Sequence, residues 1–86
     1  MTTDARVVLF TKPGCHLCDD LRDVLWRVLR GTDVPVTERN IAANPDEFER
    51  YKHDIPVLVI DGCEVARHRI TDEALTQALR AAGLLE

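Results

Sequence analysis

Arg6-Val7-Val8-Leu9-Phe10 is a continuous apolar run, and Thr11-Lys12-Pro13-Gly14-Cys15-His16-Leu17-Cys18 follows it directly. The run is rich in β-branched side chains, as a strand buried on both faces requires. Thr11 to Gly14 reads as a turn. Beyond it the spacing becomes helical. Leu17, Leu21, Val24, Leu25 and Val28 share one stripe, and Asp19, Asp20, Arg22, Asp23 and Arg27 lie mostly off it. Asp19 and Asp20 suit a helix start, Arg27 and Arg30 suit its end, and Gly31 is a natural stop. The spacing therefore predicts one helix from about Cys15 to Arg30.

Working outward, Val34, Val36 and Glu38 alternate with Pro35, Thr37 and Arg39, which reads as a short strand. Pro35 places it at a sheet edge, because proline cannot donate to a ladder on both sides. Asn44-Pro45-Asp46-Glu47 is a helix start: Asn44 caps, Pro45 fits the first turn, and Glu47 is placed to complete a capping box. That helix should end near Lys52. Pro56 to Ile60 is a second buried apolar run. Asp61-Gly62 signals a two-residue hairpin, so Cys63 to His68 should return antiparallel. Thr71-Asp72-Glu73 opens a last helix, with Ala74, Leu75, Ala78 and Leu79 expected inward and Gly83 as its stop. The order is β-α-β-α-β-β-α. A right-handed crossover makes the first two strands parallel. The expected fold is α/β, one mixed four-stranded sheet flanked by helices, in a single domain over residues 1–86.

Composition sets the outer limits. The chain has 86 residues, enough for one core, and 45% of them are hydrophobic, which argues against disorder. Its net charge of -4 and lack of any Lys/Arg cluster make nucleic acid and anionic membranes poor partners. The first apolar run is too short for a signal-peptide core or a membrane span, so a cytoplasmic protein is expected. Three cysteines are too few, and odd in number, for a secreted disulfide scaffold.

Cys15 and Cys18 form a C-x-x-C pair where a buried strand meets a helix. A helix start carries partial positive charge and free N–H groups, which favour a thiolate. Lys12 and His16 add to that, and Asp19 and Asp20 oppose it, so the sequence leaves the net sign open. Cys15, at or near the N-cap, is the exposed sulfur. Cys18 lies one turn deeper. A disulfide across two intervening residues is sterically feasible. Cys15 would attack a substrate disulfide and Cys18 would resolve the mixed disulfide. Two other readings compete. One is a metal or iron–sulfur module using Cys15, Cys18 and a third ligand such as Cys63. The other is a redox-silent interaction domain. A closed zinc site needs four ligands, and no second C-x-x-C or His-x-x-x-His supplies them. Trp26 is expected to pack on the flank of the first helix, Cys63 to be a small strand residue, and His53 and His68 to be solvated.

The segment from Leu9 to Cys18 resembles the active-site segment of glutaredoxins and of small glutaredoxin-like proteins in the thioredoxin superfamily. Asp54-Ile55-Pro56-Val57-Leu58 looks like that family's Ile/Val-Pro segment, whose proline is cis and faces the redox cysteines. The resemblance runs from Arg6 to Ala82. It implies a thioredoxin fold and thiol–disulfide oxidoreductase activity with Cys15 and Cys18 catalytic. It implies substrate binding by Lys12, Ile55, Pro56, Thr71 and Asp72; His16 joins this set by its place beside Cys15, and the Ile55 backbone should be free to pair with an extended peptide, since Pro56 has no N–H. No bound cofactor or metal is expected. The substrate would be a disulfide-containing protein or a glutathione-linked molecule, and glutathione or a separate reductase would supply electrons to a monomeric enzyme. Two departures matter. His16-Leu17 replaces the familiar Pro-Tyr of glutaredoxins. Arg69-Ile70 stands where glutaredoxins carry a Gly-Gly pair that lets glutathione approach, which predicts weak glutathione turnover. Arg50 matches a basic position that helps hold glutathione's carboxylate in the family.

Overall fold

In a computed structural model, residues 5–85 are described. Strand β1 (Val7–Thr11) leads into helix α1 (His16–Leu29). Strand β2 (Val36–Asn40) follows, then a 3-10 turn (Ile41–Ala43) and helix α2 (Pro45–Tyr51). Strands β3 (Val57–Ile60) and β4 (Cys63–Arg67) form the hairpin, and helix α3 (Asp72–Ala81) closes the sequence of elements. The sheet order is β2-β1-β3-β4. β1 pairs parallel to β2, with Val7 opposite Val36, and antiparallel to β3, with Val7 opposite Ile60. This is the mixed sheet the sequence implies, with β2 at an edge and Pro35 just before it.

The two faces of the sheet are covered unequally. Val7, Leu9, Leu58 and Ile60 pack on one side against Leu21, Leu25 and Leu29 of α1 and Leu75 and Leu79 of α3. Each fully buried leucine contributes about 1.5–3 kcal/mol of transfer free energy, so this layer fixes how both helices lie. On α1 the buried stripe is Cys18, Leu21, Leu25 and Leu29, the three- and four-residue steps of one helix face. The short α2 buries no residue fully. Its Tyr51 ring instead stacks on Phe10 at a centroid distance of 4.4 Å.

The Asp61-Gly62 turn is a two-residue hairpin with both φ angles positive, 53° and 79°. Asp61 tolerates that conformation and Gly62 adopts it freely, which matches the right-handed twist of the strands. Arg6 ties this turn down through a two-toothed contact with Asp61, Nε–Oδ1 2.5 Å and Nη2–Oδ2 2.7 Å. The same guanidinium donates to the Ala82 carbonyl at 2.8 Å.

Four expectations need correction. Trp26 does not pack: it is 63% exposed, because the buried stripe of α1 runs through its neighbour Leu25. Ala74 is exposed, since α3 turns Leu75 and Leu79 to the core and leaves Ala78 only partly covered. Asn44 does cap α2, accepting from Asp46 and Glu47 N–H at 3.0 and 3.2 Å. Glu47 does not close a capping box, however. Its carboxylate is held by Arg39 of β2 at 2.6 Å, and the Asn44 N–H donates to the Ile41 carbonyl. Finally, β4 stops at Arg67. His68 takes a left-handed φ of 63° and donates its N–H to the Pro56 carbonyl at 2.8 Å.

Candidate functional site

The end of β1 and the start of α1 bring the cysteines to one end of the sheet. Gly14, at φ 80°, makes the turn that a side-chain-bearing residue would resist. Cys15 then takes an extended N-cap conformation, φ -96° and ψ 111°. Its Sγ accepts the Cys18 N–H at 3.1 Å, and its carbonyl accepts from Asp19 N–H at 3.2 Å. The sulfur therefore occupies the place where serine or aspartate usually satisfies a first-turn donor. Cys15 is half-buried and Cys18 is 1% exposed, so one sulfur is reachable and the other is sealed.

Burial pushes the Cys18 thiol up to about 12, and its hydrogen bond with Cys15 acts in the same direction. A backbone hydrogen bond from Lys12 and the charge of Arg22 act the other way and are outweighed. Cys18 thus keeps its proton across the neutral range while the two sulfurs share a hydrogen bond.

Some of the surrounding charges are paired off. Arg22 Nε and Nη2 hold both oxygens of Glu38 at 2.7 and 2.9 Å, and Nη1 reaches Asp19 at 2.7 Å. Buried Thr11 adds a 3.3 Å contact to Glu38. Hydrogen bonds from Arg22, before any other influence, hold the Glu38 carboxyl below its ordinary range. Of the two carboxylates beside the cysteines, Asp19 is consequently compensated by a guanidinium, which the sequence alone left open. Arg22 was the missed residue. Its three-residue spacing from Asp19 is legible in sequence, whereas its contact with Glu38 depends on how β2 lies beside α1.

The remaining residues expected at the site fall as follows. Lys12 and His16 are exposed next to the cysteines, and Lys12 Nζ stands 5.6 Å from the Phe48 ring centroid. The Ile55–Pro56 bond is cis, as expected, and Pro56 is buried. The Ile55 N–H is not free: it donates to the Tyr51 carbonyl at 3.1 Å, because the chain leaving α2 bends back on its last turn. Only the carbonyl side of Ile55 remains for an incoming strand. Thr71 caps α3, accepting the Ala74 N–H at 3.1 Å. Asp72 is engaged by Arg27 through two 2.7 Å contacts, which hold its carboxyl low. A substrate ammonium, which the acidic start of α3 could otherwise receive, would have to displace that guanidinium. Arg50 lies over Tyr51, 5.6 Å from the ring centroid. Cys63 is exposed at the start of β4. Among the described residues, no three His, Cys, Asp or Glu side chains converge as a metal-ligand set. No helix among them is long and apolar enough to cross a membrane.

A dithiol at a helix start and a cis-proline on the same mixed sheet define a thioredoxin-fold protein of glutaredoxin-like kind. The family model of the glutaredoxin-like domain (DUF836) matches residues 6–80, and the chain belongs to that family. A glutaredoxin-like protein from Dictyostelium discoideum, described as a YDR286C homolog, is 30% identical over 73 residues, covering 77% of this chain and 67% of the relative. Solved structures share the fold. Target protein XcR50 from X. campestris superposes with a TM-score of 0.75 at 24% identity, covering 87% of this chain and 96% of its own. Oxidized glutaredoxin 2 from Chlamydomonas reinhardtii gives 0.62 at 21% identity, covering 94% and 85%.

Proposed function

We propose that the chain is a thiol–disulfide oxidoreductase working through Cys15 and Cys18. The observation that carries this reading is the asymmetry of the pair: a reachable Cys15 sulfur at a helix N-cap, accepting the backbone N–H of a sealed Cys18. The Cys15 thiolate attacks one sulfur of a substrate disulfide. A new S–S bond forms to Cys15, the substrate's S–S bond breaks, and the first substrate thiolate leaves. Cys18 then gives up its proton and attacks the Cys15 sulfur. This closes the Cys15–Cys18 disulfide and releases the second substrate thiol. Two electrons pass to the substrate, and one proton is taken from solvent. No bound cofactor is required, because the cysteine pair carries the electrons. Two glutathione molecules, or a dithiol on a separate reductase, return the pair to the reduced state. We place the enzyme in the cytoplasm as a monomer, with Lys12, His16, the Ile55 carbonyl, Pro56 and Thr71 around the substrate. Asp72 joins them only by exchanging Arg27.

The test is a pair of single substitutions. Cys18→Ser should accumulate a mixed disulfide on Cys15, seen as an added substrate mass, and Cys15→Ser should neither trap nor turn over. Exchange activity surviving in Cys15→Ser would sink the assignment.

A further inference from the structure

We infer that Arg69 selects substrates, favouring a polypeptide whose cystine is flanked by an acidic and an apolar side chain. The inference rests on the exchange reading above and names the substrate class for that site. Arg6, Arg22, Arg27 and Arg67 each hold a carboxylate. Arg69 makes no ion pair or side-chain hydrogen bond among the described residues and is exposed. Asp72, three residues on at the start of α3, is already occupied by Arg27. An unpaired guanidinium in this setting is a ready two-pronged partner for a carboxylate.

Its position is fixed on both sides. His68 before it is bonded to the Pro56 carbonyl, and the Arg69 N–H donates to the Arg67 carbonyl at 2.6 Å. Ile70 after it packs against the core. Arg69 thereby lines two clefts at once. One reaches α1 at Asp20, Leu21 and Val24, in the second and third turns of the helix that Cys15 caps. The other is a groove of about 550 Å³ walled by Val65, Ala66, Ile70 and Ala74. Two features that break the sequence pattern meet in that groove. Val65 is the extra residue of a β-bulge, since Ala66 pairs with Leu58 and Glu64 with Val59. Ala74 is the helix residue expected inward and found outside. The groove also borders β4, which pairs only with β3 in the sheet. Glutathione brings carboxylates but no apolar side chain, so it offers nothing to the apolar wall. A protein segment offers both.

The test uses activated peptide disulfides with a pyridylthio leaving group, whose release is followed by absorbance. Three peptides share one cysteine and a neighbouring leucine and differ only in carrying glutamate, glutamine or lysine on the flanks. S-pyridylthio-glutathione is the small-molecule arm. The expected result is a kcat/KM about two- to fivefold higher for glutamate than for lysine, the range of an exposed ion pair, shrinking with added salt. Arg69→Ala should bring that ratio to about one, and Arg69→Glu should invert it. The ratio is taken within each variant, so a general loss of rate does not imitate selection. A ratio unmoved by either substitution overturns the inference and leaves the exchange reading intact. A glutathione substrate that follows Arg69 as strongly as the acidic peptide also overturns it. Release from no peptide above the Cys15→Ser background sinks the exchange reading, and this inference with it.

Discussion

The state of Cys18 can be read by competition for an alkylating agent. With its thiol pushed up to about 12 against about 8.5 for a free cysteine, Cys18 holds about 3,000-fold less thiolate at about pH 7.5. A more basic thiolate is intrinsically more reactive, and a Brønsted slope of about 0.5 recovers about 50-fold of that loss. The net deficit is about 60-fold relative to an unstructured peptide cysteine, before any hindrance from a side chain only 1% exposed. The assay is a time course of iodoacetamide modification on the reduced Cys63→Ser protein, resolved by peptide mass. Cys15 should be carbamidomethylated first, and Cys18 should lag the reference thiol by at least the 60-fold figure. Unfolding in urea should bring Cys18 up to the reference rate. If folded Cys18 reacts within about tenfold of the peptide reference, burial and the Cys15 hydrogen bond do not hold its proton as argued.

Neighbouring residues on α1 should give opposite stability results. Leu25→Ala empties a site that is 3% exposed and should cost about 2–5 kcal/mol. Trp26→Ala, at 63% exposure, should cost less than about 1.5 kcal/mol, as chemical denaturation will show. Acid should weaken the fold through Asp61, Asp72 and Glu38, whose carboxyls are held low by Arg6, Arg27 and Arg22. A lowered folded value means that this stabilisation is present above the ordinary carboxylate range of about 4 and lost as pH falls through the folded values. The urea midpoint should therefore drop less between about pH 6 and pH 3 in the Asp61→Asn, Asp72→Asn double variant than in the parent. Alkali should weaken it through Cys18, whose raised value makes stability fall as pH rises above about 8.5. Cys18→Ser should flatten that limb of the pH profile.

What the sequence disclosed was local. The apolar runs of β1 and β3, the Asp61-Gly62 turn, and the Asn44 and Thr71 caps depend on residues close in the chain, and all lie where their spacing puts them. What it concealed was relational. Ile41 is wholly buried in a 3-10 turn, although it stands in a polar context with no periodic neighbours. Glu47 has the right spacing for a capping box, yet an arginine from a strand claims it. The stripe of α1 placed Leu25 inside correctly, but nothing local to the helix says whether a neighbouring segment covers its flank, and none among the described residues covers Trp26. At the site, Cys15, Cys18 and the cis Ile55–Pro56 bond were legible. The compensation of Asp19 by Arg22 and the engagement of the Ile55 N–H were not, because each is set by how separate segments meet.

The Cys15 sulfur does two jobs at once: it is the proposed nucleophile and the first-turn cap of α1. Its bonding to another sulfur withdraws electron density that the Cys18 N–H would otherwise meet. If the pair cycles as proposed, the helix start is better satisfied in the dithiol than in the disulfide. A cap is worth about 1 kcal/mol, which corresponds to about 20 mV for a two-electron couple. Secondary structure and electron affinity thereby become one equilibrium. A change that loosens the opening turn of α1, even far from any substrate, will register as a shift in how readily the pair accepts electrons.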